Sequence, residues 1–159
     1  MHAVVKAGVG LAVVVTVFSI IFTLAGLHRS PIVGGLLFLA VAVALNVGAV
    51  FWGLKQTASV NGYGKQLLNA LLVGLVAGVL ILTTSWLMLT LVFPNYLEEA
   101  KAASIEMLQS SGLPAESLDK QVQRVESMTV SAQAFQAMVG TLVTSVVAGA
   151  IIAIFRRRK

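Results

Sequence analysis

NYLEEAKAASIEMLQSSGLPAESLDKQVQRVE, residues 95 to 126, contains all six acidic side chains of the chain: Glu98, Glu99, Glu106, Glu116, Asp119 and Glu126. What surrounds it is almost wholly apolar, with Lys and Arg confined to the edges of long uncharged runs. Ala7 to Leu27 is 21 residues without a charge, and His28-Arg29-Ser30-Pro31 breaks it. Ile32 to Leu54 gives 23 more, closed by Lys55; Gln66 to Phe93 gives 28; Ser127 to Phe155 gives 29, ahead of Arg156-Arg157-Arg158-Lys159. A helix that crosses a bilayer needs about 20 apolar residues, so each run suffices.

Composition leads to the same place. Of 159 residues, 58% are hydrophobic and 11% charged, against about 25% charged in ordinary soluble domains. Mean hydropathy is +0.94. A soluble fold of about 150 residues buries only about 70% of the surface its unfolded chain exposes, so lipid must solvate much of this one. The net charge of +5 does not indicate nucleic acid, because the basic residues cap hydrophobic segments and form no water-facing stripe. Cysteine is absent, which removes disulfides, thiolate nucleophiles and Cys-based metal sites.

The expected architecture is an all-α membrane protein of one domain, residues 1–159. Its four transmembrane helices run over about 5–27, 32–54, 66–93 and 132–155. An extracytoplasmic amphipathic helical hairpin, about 95–128, lies between spans 3 and 4. The first run is read as a span and not a signal peptide, since its apolar stretch exceeds the usual h-region and Lys6 is its only leading charge. Lys6, Lys55, Lys65, Arg156, Arg157, Arg158 and Lys159 fall on one side; Arg29, Lys101, Lys120 and Arg124 fall with the acids on the other. Positive residues mark the cytoplasmic side, which puts both termini there and the expected location in a bacterial inner membrane. The third and fourth runs exceed the bilayer: 28 residues rise about 42 Å against a hydrocarbon core of about 30 Å, so they tilt or project. Within the acidic stretch, Gly112 reads as a helix stop and Pro114 as a start, with Glu116 in the first turn where the helix dipole favours acid.

Gly53-Leu54-Lys55 at the end of the second span, Gly62-Tyr63-Gly64-Lys65 entering the third, and Phe93-Pro94-Asn95-Tyr96-Leu97-Glu98 after it follow an order seen elsewhere. With the Ser-Gly-Leu-Pro midpoint of the acidic stretch and the basic tail, they make the chain resemble, over nearly its whole length, a family of bacterial four-span membrane proteins known as domain of unknown function 4199. The outer half of the fourth span departs from that pattern in lacking a Pro-containing aromatic run. The resemblance implies a four-span fold and supplies no activity.

Candidate chemistry is sparse. No ionisable residue lies deep in a run, whereas transporters and proton relays usually carry one. His2 and His28 sit at helix ends and read as headgroup-level polar residues. No Ser-His-Asp set, His-Glu-x-x-His motif or phosphate loop occurs; no cofactor, metal or catalytic residue is expected, and the chain is read as not an enzyme. Asn46, Thr83, Thr84, Ser85, Thr141, Thr144 and Ser145 are the polar groups within spans, read as interhelical hydrogen bonds first and a solute path second. Gly74-x-x-x-Gly78 and Gly149, with Asn46, are the candidate helix-packing positions. Arg156, Arg157, Arg158 and Lys159 are candidate contacts to anionic lipid. The stripe Leu97, Met107, Leu118, Val122 and Val125 is the candidate partner surface. The function expected is a non-catalytic scaffold or accessory subunit that oligomerises or joins a larger membrane complex. The alternatives are an oligomeric transporter or channel for a neutral or lipid-like solute, and a headgroup enzyme using Glu98 or Glu99. The bilayer is the one certain partner class; nucleic acid is not one.

Overall fold

The computed structural model describes residues 2–58 and 61–156, without the side chain of Arg156. Among them every regular element is helical. The helices are α1 (His2–Leu24), α2 (Pro31–Lys55), α3 (Tyr63–Leu87), α4 (Tyr96–Ser110), α5 (Ala115–Glu126) and α6 (Val130–Arg156). Four of these are long and apolar enough to cross a membrane: α1, α2, α3 with its extension to Val92, and α6.

The boundaries have local causes. α1 stops where Gly26 turns left-handed at φ 68°, a conformation that costs glycine little. A single 3₁₀ turn, Leu27–Arg29, then leads to Pro31 at the first position of α2, where its missing N–H is no loss. Gly34 lies directly under the Leu27 carbonyl, with no room for a Cβ, so the turn folds flat onto α2. α3 continues past Leu87 as one π turn over Met88–Val92, closed by the Phe93 amide donating to the Met88 carbonyl at 2.8 Å. Pro94 then ends it. The third run is therefore one long rod with a widened last turn beside the start of α4.

The four long helices form a bundle in which α3 packs between α1 and α6, α2 closes the ring by touching α1 and α6, and the α3–α6 seam is the most extensive. Small residues line the seams. A Cβ on Gly74 would stand 2.7 Å from the Ser145 Cβ, and one on Gly78 would stand 3.0 Å from Met138 Cγ. Gly149 is pressed against Ala70 with no space for a methyl. Gly8 on α1 meets Val76 on α3 in the same way. Many large aliphatics point outward: Val9, Val13, Val17 and Ile21 on α1, and Val139, Val143, Val147 and Ile151 on α6, are exposed at four-residue spacing, while Ala70, Ala77 and Ala153 are fully buried beside Val4, Val50, Leu54 and Val73. The outward aliphatic rows suit lipid, where apolar helices gain nothing by hiding Leu and Val from the solvent and associate through close backbone approach.

Polar groups inside the bundle are satisfied across helices. Asn46 on α2 is 3% exposed; its Nδ2 donates to the Thr141 carbonyl at 3.1 Å, and Ser145 Oγ donates to its Oδ1 at 3.0 Å. Thr16 and Thr84 share a hydrogen bond of 3.1 Å between α1 and α3. Gln66 is fully buried; it donates to the Leu54 carbonyl at 3.4 Å and accepts from Thr57 at 3.1 Å, tying α3 to the end of α2. Thr83 donates to the Val79 carbonyl of its own helix at 3.0 Å.

Gly149→Val and Gly74→Val should each lower stability by about 1–3 kcal/mol, the usual cost of overpacking, measured by unfolding in mild detergent. Gly140 is on the same helix as Gly149, and a Cβ added there would meet nothing within 4 Å. It should accept alanine with stability unchanged or raised.

Candidate functional site

The end of the bundle that carries α4 is built differently from the rest. Phe93-Pro94-Asn95 turns the chain sharply, with the Tyr96 amide donating to the Phe93 carbonyl at 3.0 Å, and α4 starts with Glu98 and Glu99 in its first turn, where the dipole favours them. Glu99 points back to the α1–α2 turn. Its Oε2 accepts from His28 Nε2 at 2.8 Å and from Arg29 Nε at 2.9 Å. Arg29 is largely in water, whereas the His28 side chain is only 5% exposed. The His28 ring stacks on Tyr96, centroids 4.8 Å apart and planes 23° from parallel.

Hydrogen bonds from Arg29 and then His28 hold the Glu99 carboxyl down at about 2, against its usual 4.5. The same contact raises the Arg29 guanidinium. Burial pushes the Tyr96 phenol up, with a hydrogen bond from the Gln133 side chain pulling the other way. Glu99 is thus a fixed anion between two partners. The other acids differ: Glu98 pairs with Lys101 at 3.3 Å and Glu116 with Lys120 at 2.6 Å, each within its own helix.

Under this cluster lies a half-open cavity of about 420 Å³ between the ends of α1, α2, α3, α4 and α6. Phe22, Phe38, Leu27, Met88 and Leu89 are its main apolar lining; His28, Tyr96, Gln133, Gln136 and Ser85, with Ser19, Thr23 and Ser30, are its polar lining. Phe22 and Phe38 meet edge to face at 5.2 Å, and Phe18 backs both. Two buried polar atoms of the lining, His28 Nδ1 and Gln133 Oε1, have no hydrogen-bond partner in the protein. Gln133 and Gln136 come from the polar first turns of α6.

α4 and α5 are joined through Ser111–Pro114 with Gly112 at φ 68°, and they touch each other. The five residues of the candidate partner stripe separate here. Leu97 is buried, as is Leu108; Met107 on α4 and Leu118, Val122 and Val125 on α5 are half-buried. Leu97 therefore faces the protein and is not open to a partner. Of the basic tail, Arg157, Arg158, Lys159 and the Arg156 side chain lie outside the described residues. The site around His28 is one that sequence reasoning passed over as a headgroup-level histidine. The available signal was that His28 and Arg29 share a side with all six acids, in a loop too short to reach far.

A family model described as protein of unknown function (DUF4199) matches residues 6–158. The chain belongs to this family. No curated protein and no solved structure matches it. The DUF4199 description supplies no chemistry to transfer, so function rests on the geometry of this chain.

Because the Glu99 carboxyl is lowered in the folded protein, its pairing stabilises the α4 contact fully above its usual 4.5 and is lost as pH falls towards about 2. Near-ultraviolet circular dichroism of the stacked Tyr96 should change over that window, and the Glu99→Gln variant should show no such transition.

Proposed function

We propose that this DUF4199 protein is a non-catalytic accessory subunit of the bacterial inner membrane. Its termini are cytoplasmic and residues 95–128 form an extracytoplasmic hairpin that offers α5 to an amphipathic helix of a larger membrane complex. The orientation rests on the Lys and Arg distribution along the chain. The carrying observation is α5 itself: Leu118, Val122 and Val125 share one face at i, i+4, i+7 spacing and are only half-buried by the chain, while Leu97 and Leu108 on α4 are buried. The part of this stripe left open to water is where a partner would pack. The Glu99 pairing supports the reading by fixing α4, and through it α5, at a set place on the bundle.

Catalysis through the acids has less support. Glu99 is held by His28 and Arg29 and Glu98 by Lys101, and the lowered Glu99 carboxyl lacks the proton affinity near the working pH that a general acid or base needs. A solute path through the spans has little support too, since Asn46, Ser145 and Thr84 make their hydrogen bonds inside the bundle and Thr83, exposed on α3, bonds its own helix. The reading of a pore built from several copies has one feature in its favour. An open hollow of about 470 Å³ lies on the outside of the bundle between α1 and α2, at Gly10 and Gly48.

A photo-crosslinking residue at Val122 should capture one protein other than itself in native membranes, and the same residue at the exposed Asp119 should capture it less. Leu118→Glu with Val122→Glu should abolish co-purification while the bundle unfolds at the same temperature. Equal capture at both positions, or unaltered co-purification of the double variant, overturns the proposal; no capture at Val122, with copies of the chain joined by a crosslinking residue placed at Gly48, favours the pore.

A further inference from the structure

The hollow of about 470 Å³ between α1 and α2 opens on the outside of the bundle, away from α4. Gly10 and Val14 of α1 and Ala44 and Gly48 of α2 line it, with Lys6 and Trp52 at one end. The groove therefore runs from Lys6 to Val14 on one helix and from Trp52 back to Ala44 on the other, about 12 Å of helix rise on each side. One leaflet of the hydrocarbon core is about 15 Å deep, half of about 30 Å. The groove thus has the depth of a single leaflet and opens toward the headgroups at Lys6 and Trp52. Trp52 is exposed at the level where tryptophan usually marks the membrane interface.

The charge at the mouth narrows the occupant. Lys6 is exposed, and a lysine there can lay its stem on the apolar wall and its ammonium among headgroups. Lys55 continues the face of Gly48 and Trp52 at i, i+4, i+7 spacing. The two helices meet closely at this end, since a Cβ on Gly53 would stand 3.1 Å from the Ala7 Cβ. No acidic side chain occurs outside residues 95–126, and among the described residues neither Lys6 nor Lys55 makes an ion pair. An apolar groove one leaflet deep, with unpaired ammonium groups at its mouth, is complementary to a lipid with negative charge above an acyl chain. A second copy fits less well: a two-fold pairing through this face would set Lys6 against Lys6.

We infer that the α1–α2 groove holds one acyl chain of an anionic phospholipid, whose phosphate Lys6 binds with Lys55 beside it. The leaflet concerned is the inner one in the orientation proposed above, and the chemistry of the groove does not depend on that orientation. Gly10 and Gly48, where a Cβ would meet nothing within 4 Å, then leave room for the chain of a lipid where Gly74 and Gly149 leave room for a neighbouring helix.

The test uses the full chain in an uncharged detergent, titrated with phosphatidylglycerol and with phosphatidylcholine of the same acyl chains. Binding is read by native mass spectrometry and by Trp52 fluorescence in a Trp86→Phe background. One equivalent of phosphatidylglycerol should bind at least about fivefold more tightly than phosphatidylcholine, the factor expected for one lysine. Lys6→Gln should weaken phosphatidylglycerol about fivefold and leave phosphatidylcholine unchanged. Gly48→Leu, which fills open space, should remove saturable binding of both lipids. Lys65→Gln, at the same end of the bundle and outside the groove lining, should weaken phosphatidylglycerol less than Lys6→Gln does. Glycerol 3-phosphate, a headgroup without chains, should not displace the lipid. Equal affinity for the two lipids, wild-type binding by Lys6→Gln or Gly48→Leu, an equal loss in Lys65→Gln, or displacement by glycerol 3-phosphate overturns the assignment. Copies of the chain joined through a crosslinking residue at Gly48 also overturn it, since a second copy then fills the groove. None of these outcomes bears on α5, so the assignment stands or falls apart from the accessory-subunit reading.

Discussion

Glu99 is the carboxylate on which the arrangement outside the bundle depends. Among the described residues it is the acid that bonds beyond its own helix, and it does so to the two residues, His28 and Arg29, that join α1 to α2. The pairing orders two things together. It seats the first turn of α4 on the bundle, and it holds the imidazole against Tyr96. An exposed ion pair is worth little on its own. This one is shielded on the histidine side and reinforced by ring stacking and by burial of Leu97, so its effect is one of position more than of net stability.

The bundle follows a different constraint. Lipid does not drive helices together through apolar burial, and the sequence answers with glycine and alanine where helices meet and valine, isoleucine and leucine where lipid lies. The α3–α6 seam at Gly74, Gly78 and Gly149 brings backbones together, and Asn46 bridges α2 to α6 through Thr141 and Ser145. Asn46, Ser145, Thr16 and Thr84 are engaged in holding the helices. Among the described residues the two buried side-chain atoms without a partner, on His28 and Gln133, lie at the α4 end.

The long helices were legible because bilayer thickness imposes a length on every apolar run, and Pro31, Pro94, Gly112 and Pro114 mark turns whose backbone needs them. The small-residue positions were visible as candidates, though spacing alone could not say which seam each would serve. The His28–Glu99 contact was not legible. It joins residues 71 apart, and it exists only because the crossing of α1, α2 and α3 brings one turn next to another. Leu97 illustrates the same limit: helical periodicity put it on a stripe with Met107, yet whether that stripe faces the protein or water depends on where α4 docks. On α5 periodicity identified the face of Leu118, Val122 and Val125, which the chain itself half-covers.

The central claim is that one carboxylate seats α4 on a bundle that otherwise stands by itself. Hydrogen–deuterium exchange of the protein in lipid nanodiscs, compared with the Glu99→Gln variant, tests it directly. Slow exchange is predicted in the first turns of α4 of the wild type, with a marked rise there in the variant and unchanged protection in α1, α2, α3 and α6. Rapid exchange of α4 already in the wild type, or protection that survives the substitution, would contradict it.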